Sequence, residues 1–236
     1  MTRGIRTLLV VGQIRGEVEP LAEALGRHEE LGVDGVVAVG DLGAPWSKPD
    51  TYREIFRTLG ESGLRTFWLP GANDAPLHAY LREAHNMEIA FPLLRGVHAT
   101  VVQAPGQLVF SGMGGEILDD PEAIRGEETL LRYPGWEVEY RLKVLNEFKE
   151  RQKVFLFTTS PAHKGLHEPG SEVLAELIKT YKPRLVVVGR DGGASEMRIA
   201  KTLVISPGRM DQGQYALVDL RELTVEAVTP SAQATV

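Results

Sequence analysis

The chain has 236 residues, 43% of them hydrophobic, enough to bury a full-sized core in one domain or two closely packed halves. Its 26 lysines and arginines against 32 aspartates and glutamates give a net charge of −6, which argues against a general nucleic-acid or membrane-binding surface but leaves room for a local basic pocket. The lack of cysteine excludes disulfides, thiolate metal sites and cysteine nucleophiles. With no leader-like cleavage site and no apolar run of spanning length, the expected location is the cytoplasm.

In chain order, TLLVVG at 7–12 reads as a short buried strand. A helix over 18–28 follows, with Leu21, Ala24 and Leu25 on one face. GVVAVG at 35–40 is the second strand, and Asp50 is expected to cap a helix that turns Tyr52, Ile55, Phe56 and Leu59 inward and ends near Gly60–Gly63. RTFWLP at 65–70 is the third strand, followed by a helix from Pro76 to His85. This alternation implies a mainly parallel sheet with right-handed crossovers.

The rhythm then changes. HATVVQ and LVFSG, joined across APGQ, read as a hairpin. Residues 113–135 form a Gly-, Asp- and Glu-rich loop too long for a mere connector, and therefore functional or a lid. A helix over 136–150 precedes the buried strand KVFLFT. A second long loop, 159–170, leads to the helix SEVLAELIKTY, and LVVVG at 185–189 is another parallel-type strand. Short strands near 198–206, 214–219 and 224–228 alternate as an antiparallel sheet would, and residues 229–236 are expected to form a flexible tail behind a single domain over 1–228. The two sheet halves with trailing helices point to an α/β sandwich of two sheets with helices outside.

The buried strands end in polar turns: GQIRG at 12–16, GDLGAPW at 40–46, PGANDAP at 70–76, TTSPAH at 158–163 and GRDGG at 189–193, with SPG at 206–208 closing the set. Strand carboxyl ends converging on one rim make an active-site geometry. In this order and strand context the chain, over roughly residues 5–228, resembles the calcineurin-like metallophosphoesterases. That family carries Asp-x-His-Gly after its first strand, Gly-Asp after the second and Gly-Asn-His-Asp after the third, then a later histidine and a Gly-His-x-His turn. The resemblance implies an αββα sandwich of two mixed β-sheets with helices on the outer faces.

It also locates the departures. The family's first Asp falls on Gln13 and its His on Arg15. The second-strand Asp is kept as Asp41, the Asn falls on Ala72, the catalytic His on Asn73, and the following Asp survives as Asp74. The later histidine falls on Thr159, and the last pair on Arg190 and Gly192. Of the ligand positions 13, 15, 41, 72, 159, 190 and 192, only Asp41 keeps a ligand type suited to a metal pair. Two cations lower the pKa of bound water from ~15.7 toward ~7, so losing that activation is worth about 12 kcal/mol. An arginine cannot deprotonate and repels a cation.

The residues leave several readings open. Gln13 and Arg15 are either turn residues, with Arg15 paired to Asp41, or part of a pocket in which Arg15 and Arg190 supply positive charge where cations would sit, suited to a phosphate or nucleotide. Asn73 and Asp74 read as a turn capping the next helix. His163 and His167 stand four apart, and a displaced single-metal site of Asp41, Asp74 and His163 is the weaker alternative. His28, His78, His85 and His98 are expected at the surface or at strand edges, and Trp46 and Trp136 in the core rather than lining the cleft. Glu116 lies on a Gly-rich turn that either approaches the pocket or is a tight turn. Neither GxGxxG nor GxxxxGK[ST] occurs.

The expectation is a metallophosphoesterase-type fold without the standard two-metal activity, with no cofactor, and with a phosphate-bearing small molecule as ligand at Gln13, Arg15, Asp41, Asn73, Asp74, Thr159 and Arg190. The first alternative is an active phosphoesterase with a rebuilt site holding one divalent ion such as Mn or Mg. The second is a structural protein or homo-oligomer.

Overall fold

Alternate strand residues here are apolar on both sides, so each sheet must be covered twice. The computed structural model describes residues 4–124, 129–166, 170–189 and 192–229. The first half runs β1 (Thr7–Gly12), α1 (Val18–Gly26), β2 (Gly35–Val39), α2 (Pro49–Glu61), β3 (Arg65–Trp68), α3 (Leu77–Ala90) and β4 (Leu94–Gly96). The hairpin β5 (Val101–Ala104) and β6 (Leu108–Met113) follows, then β7 (Glu116–Leu118), β8 (Arg132–Pro134), α4 (Gly135–Leu142) and β9 (Gln152–Phe157). The chain closes with α5 (Glu172–Tyr181), β10 (Leu185–Val188), β11 (Ser195–Ile199), β12 (Thr202–Ser206), β13 (Tyr215–Asp219) and β14 (Thr224–Val228).

Two six-stranded mixed sheets result, ordered β14-β13-β1-β2-β3-β4 and β11-β12-β10-β9-β6-β5. The period of two assigns each strand residue to a layer. Leu8 and Val10 of β1 join Val37, Phe67, Phe110, Val154, Val187 and Leu203 in the core between the sheets, where the rings of Phe67 and Phe110 stack with centroids 3.6 Å apart. Leu9 and Val11 face the other way, into a core shared with α1, α2 and α3. Phe155, Phe157, Val186 and Val204 meet α4 and α5 on the opposite side. This is the αββα sandwich that the resemblance implies.

Several local expectations change. Lys48 is the residue before α2, Pro49 opens it and Asp50 lies inside its first turn rather than at the cap. The 113–135 segment is not a plain loop: β7 and β8 pair in parallel as a small third sheet. The 136–150 helix is α4 followed by a 3-10 stretch, Lys143–Phe148. Three-residue strands carry too little pattern to read from sequence. The expected tail, beyond residue 229, lies outside the described residues. Among the described residues no helix is long and apolar enough to cross a membrane.

Candidate functional site

The two sheets approach each other closely at the carboxyl ends of β2 and β10. Gly40 has φ +84, and a Cβ there would lie 2.5 Å from the Gly189 carbonyl oxygen; a Cβ on Gly189 would meet the Gly40 nitrogen at 2.4 Å. Only glycine permits this approach. Just beyond β1, Gln13 and Arg15 take the left-handed conformation, with φ 52 and 51. Backbone bonds from Gln13 N to Val39 O, Arg15 N to Asp41 O and Gly16 N to Leu42 O hold the turn against that cost.

The buried Gln13 side chain closes the gap between the sheets. Its Nε2 donates to Gly189 O at 2.8 Å, and its Oε1 accepts from Arg15 Nε at 3.1 Å. A carbonyl can only accept and a guanidinium can only donate, so these partners fix the amide orientation. Across the rim, Asp41 Oδ1 accepts from Asn73 N at 3.0 Å and Oδ2 from Asn73 Nδ2 at 2.7 Å. Thr159 Oγ1 accepts from Ile117 N at 2.8 Å.

Asp74 is not the cap of α3, whose preceding residue is Pro76. Fully buried, it instead accepts from Leu42 N, Gly43 N, Gly71 N and Tyr52 Oη, at 2.7 to 3.0 Å, and so ties the loops after β2 and β3 together. Burial, then the charge of Asp41, pushes its pKa up to about 7, against the three backbone donors that pull it down. The same burial, with Asp74 beside it, raises the Tyr52 phenol well above its ordinary value.

Of these groups Gln13, Asp41, Asn73 and Thr159 line a cleft of about 360 Å³ from the strand ends. Arg15 stands behind Gln13 and Asp74 lies buried beneath the loops, neither of them on the cleft lining. Its far wall is the small β7–β8 sheet, which contributes Glu116 and Arg132. Arg132 Nε donates to Glu116 Oε2 at 2.8 Å. Leu131 N donates to Ala72 O, and Gly115 N to Pro70 O, fastening this wall to the loop after β3. Sequence reasoning missed Arg132 and Thr158, which also lines the cleft. The available signal was the apolar LLRYP at 130–134 inside an otherwise polar insertion.

Arg190 and His167 lie outside the described residues. His163 is exposed, its Nδ1 3.0 Å from Lys164 O. Trp46 and Trp136 are 72% and 59% exposed, not core residues; Trp46 sits at φ 65 in the loop after β2, and Trp136 opens on the outer side of α4. His78 and His85 are exposed on α3. His98 is a partly buried strand-edge residue, bridged to Gly112 of β6; burial, then the charge of Arg141, lowers its pKa to about 4, and its Nδ1 accepts from Gly114 N at 3.0 Å.

Two divalent cations need several anionic or imidazole ligands converging on them. Gln13 turns an amide N–H toward a carbonyl, Arg15 brings a guanidinium, and each Asp41 oxygen accepts a bond from Asn73. Asp74 is saturated by four donors, and Asp41, Asp74 and His163 are not brought together as a ligand set: among the described residues no three His, Cys, Asp or Glu side chains are grouped to hold a metal ion. The described residues do not fit a two-metal pair.

The family model described as metallophosphoesterase, calcineurin superfamily, matches residues 1–229. The crystal structure of TT1561 of Thermus thermophilus is 39% identical, with a TM-score of 0.89, covering 95% of this chain and 99% of that one. At the level of fold alone, an archaeal phosphodiesterase is 11% identical with a TM-score of 0.56, covering 95% and 99%. A putative 5'-nucleotidase from Staphylococcus aureus is 12% identical with a TM-score of 0.61, covering 98% of this chain and 55% of that one. No match was found among curated proteins. Fold, strand-end turns and family match agree: the chain belongs to the calcineurin superfamily of metallophosphoesterases.

Proposed function

We propose that this protein uses the metallophosphoesterase cleft to bind a phosphate-bearing small molecule, as a binding or regulatory module without two-metal hydrolysis. The observation that carries this reading is the Gln13 amide, held between Arg15 Nε and Gly189 O where the family places a metal-binding carboxylate. A neutral amide and a guanidinium there favour an anion over a cation. The cleft retains about 360 Å³, room for a phosphate and part of its carrier, and Arg132 adds a second guanidinium on the far wall. By sequence position Arg190 belongs to the same set.

Isothermal calorimetry with inorganic phosphate and with a nucleoside monophosphate tests the reading. Saturable binding by wild type, weakened at least about tenfold in Arg15→Ala and in Arg132→Ala, is expected. Absence of heat for both probes would refute it, as would binding that neither substitution alters.

A further inference from the structure

We propose that Glu116 is a built-in competitor for the anion in this cleft: it occupies the Arg132 guanidinium until a phosphate group displaces it. The inference rests on the phosphate-binding reading and says how that site is set.

Register places Glu116 directly opposite Arg132 in the parallel β7–β8 pair, so the backbone presents the two side chains to each other. The bond from Arg132 Nε to Glu116 Oε2 is 2.8 Å. Both residues line the cleft, so the carboxylate stands in the space an anion would use. A phosphate approaching Arg132 meets the Glu116 charge first and must take over a donor that Glu116 already holds.

The pair is exchangeable rather than a fixed internal brace. The Arg132 side chain is 25% exposed and that of Glu116 38%, and ion pairs this open to water are weak. A dianionic phosphate offers the guanidinium fork more acceptors than one carboxylate oxygen does. The wall does not depend on the Glu116 side chain. Glu116 N donates to Leu131 O at 2.8 Å and Ile117 N to Thr159 Oγ1 at 2.8 Å, bonds that a change of side chain leaves in place. Glu116→Gln keeps the shape, removes the charge and weakens the hold on Arg132.

Calorimetric titration of inorganic phosphate at fixed pH and ionic strength, into wild type, Glu116→Gln, Glu116→Asp, Arg132→Ala and the Glu116→Gln/Arg132→Ala double variant, tests this. The expected result is roughly tenfold tighter phosphate binding by Glu116→Gln. Glu116→Asp keeps the charge and stays near wild type, and the gain disappears when Arg132 is absent, since a cycle isolates the pair. Binding by Glu116→Gln where wild type shows none would mean that phosphate does not displace Glu116 in the natural protein, and both readings would fail. If wild type binds phosphate and Glu116→Gln binds no tighter, or if the gain survives in the double variant, the competitor role is wrong while the binding role stands. If neither protein binds, the phosphate-binding reading itself fails.

Discussion

At the scale of single residues, Gln13 is the most informative position in the chain. It is buried, it holds a backbone conformation that costs a non-glycine residue about 1–2 kcal/mol, and it spends its amide on a carbonyl of the opposite sheet. Gln13→Ala keeps the strained backbone and leaves Gly189 O without this donor, so it should lower unfolding free energy by about 1–3 kcal/mol in urea denaturation. Gln13→Gly loses the same bond but relieves the backbone, and should be the less destabilised of the two. The reverse order would mean that the turn is not under strain. Sequence alone places Gln13 at a strand end in a departed ligand position, but a bond to a residue 176 positions away depends on how the sheets dock. For the same reason Arg132 stayed hidden, since its importance comes from the wall it stands on. Trp46 and Trp136 misled because large aromatic residues are usually mostly buried.

Among elements, the long ones were legible and the short ones were not. β1, β2, β9 and β10 are runs of apolar residues ending at glycine or threonine, and α2 and α5 show apolar residues at helical spacing. β4, β7 and β8 have three residues each and exist because neighbouring strands and loops supply their partners. His98 shows how such segments are joined. Its unprotonated Nδ1 accepts from Gly114 N, connecting the segment before β5 to the turn between β6 and β7. Its pKa is lowered from 6.5 to about 4, so between those values the unfolded chain binds more protons than the folded one. The stability this contributes is full above the unfolded value and is lost as pH falls toward 4. Asp74 works in the opposite sense: its pKa is raised to about 7, so its contribution declines as pH rises from about 4 to about 7. Glutamine at position 98 can accept the same bond without titrating. On acidification from about pH 7 to about pH 4, wild type should lose about 3 kcal/mol more stability than His98→Gln, measured by thermal or urea unfolding. Equal losses would contradict this.

For the molecule as a whole, two sheets share one apolar core and meet at a rim where Gly40 and Gly189 nearly touch. The fold and the position of the cleft follow from strand order and strand-end turns, which is why they could be read in the sequence. What the cleft does depends on which groups point into it. At that rim the Gln13 amide, the Arg15 guanidinium, the Thr159 hydroxyl and the Asn73 amide bond to neighbouring backbone and side-chain groups, and Asp41 is the carboxylate that Asn73 holds. On the function proposed above, a cleft so built receives an anion in place of the cation pair that generates a nucleophilic hydroxide. Manganese-supported hydrolysis of bis(p-nitrophenyl) phosphate by the purified protein tests that claim most directly. The account predicts no turnover above the manganese-only background. Metal-dependent turnover that Asp41→Ala abolishes would contradict it.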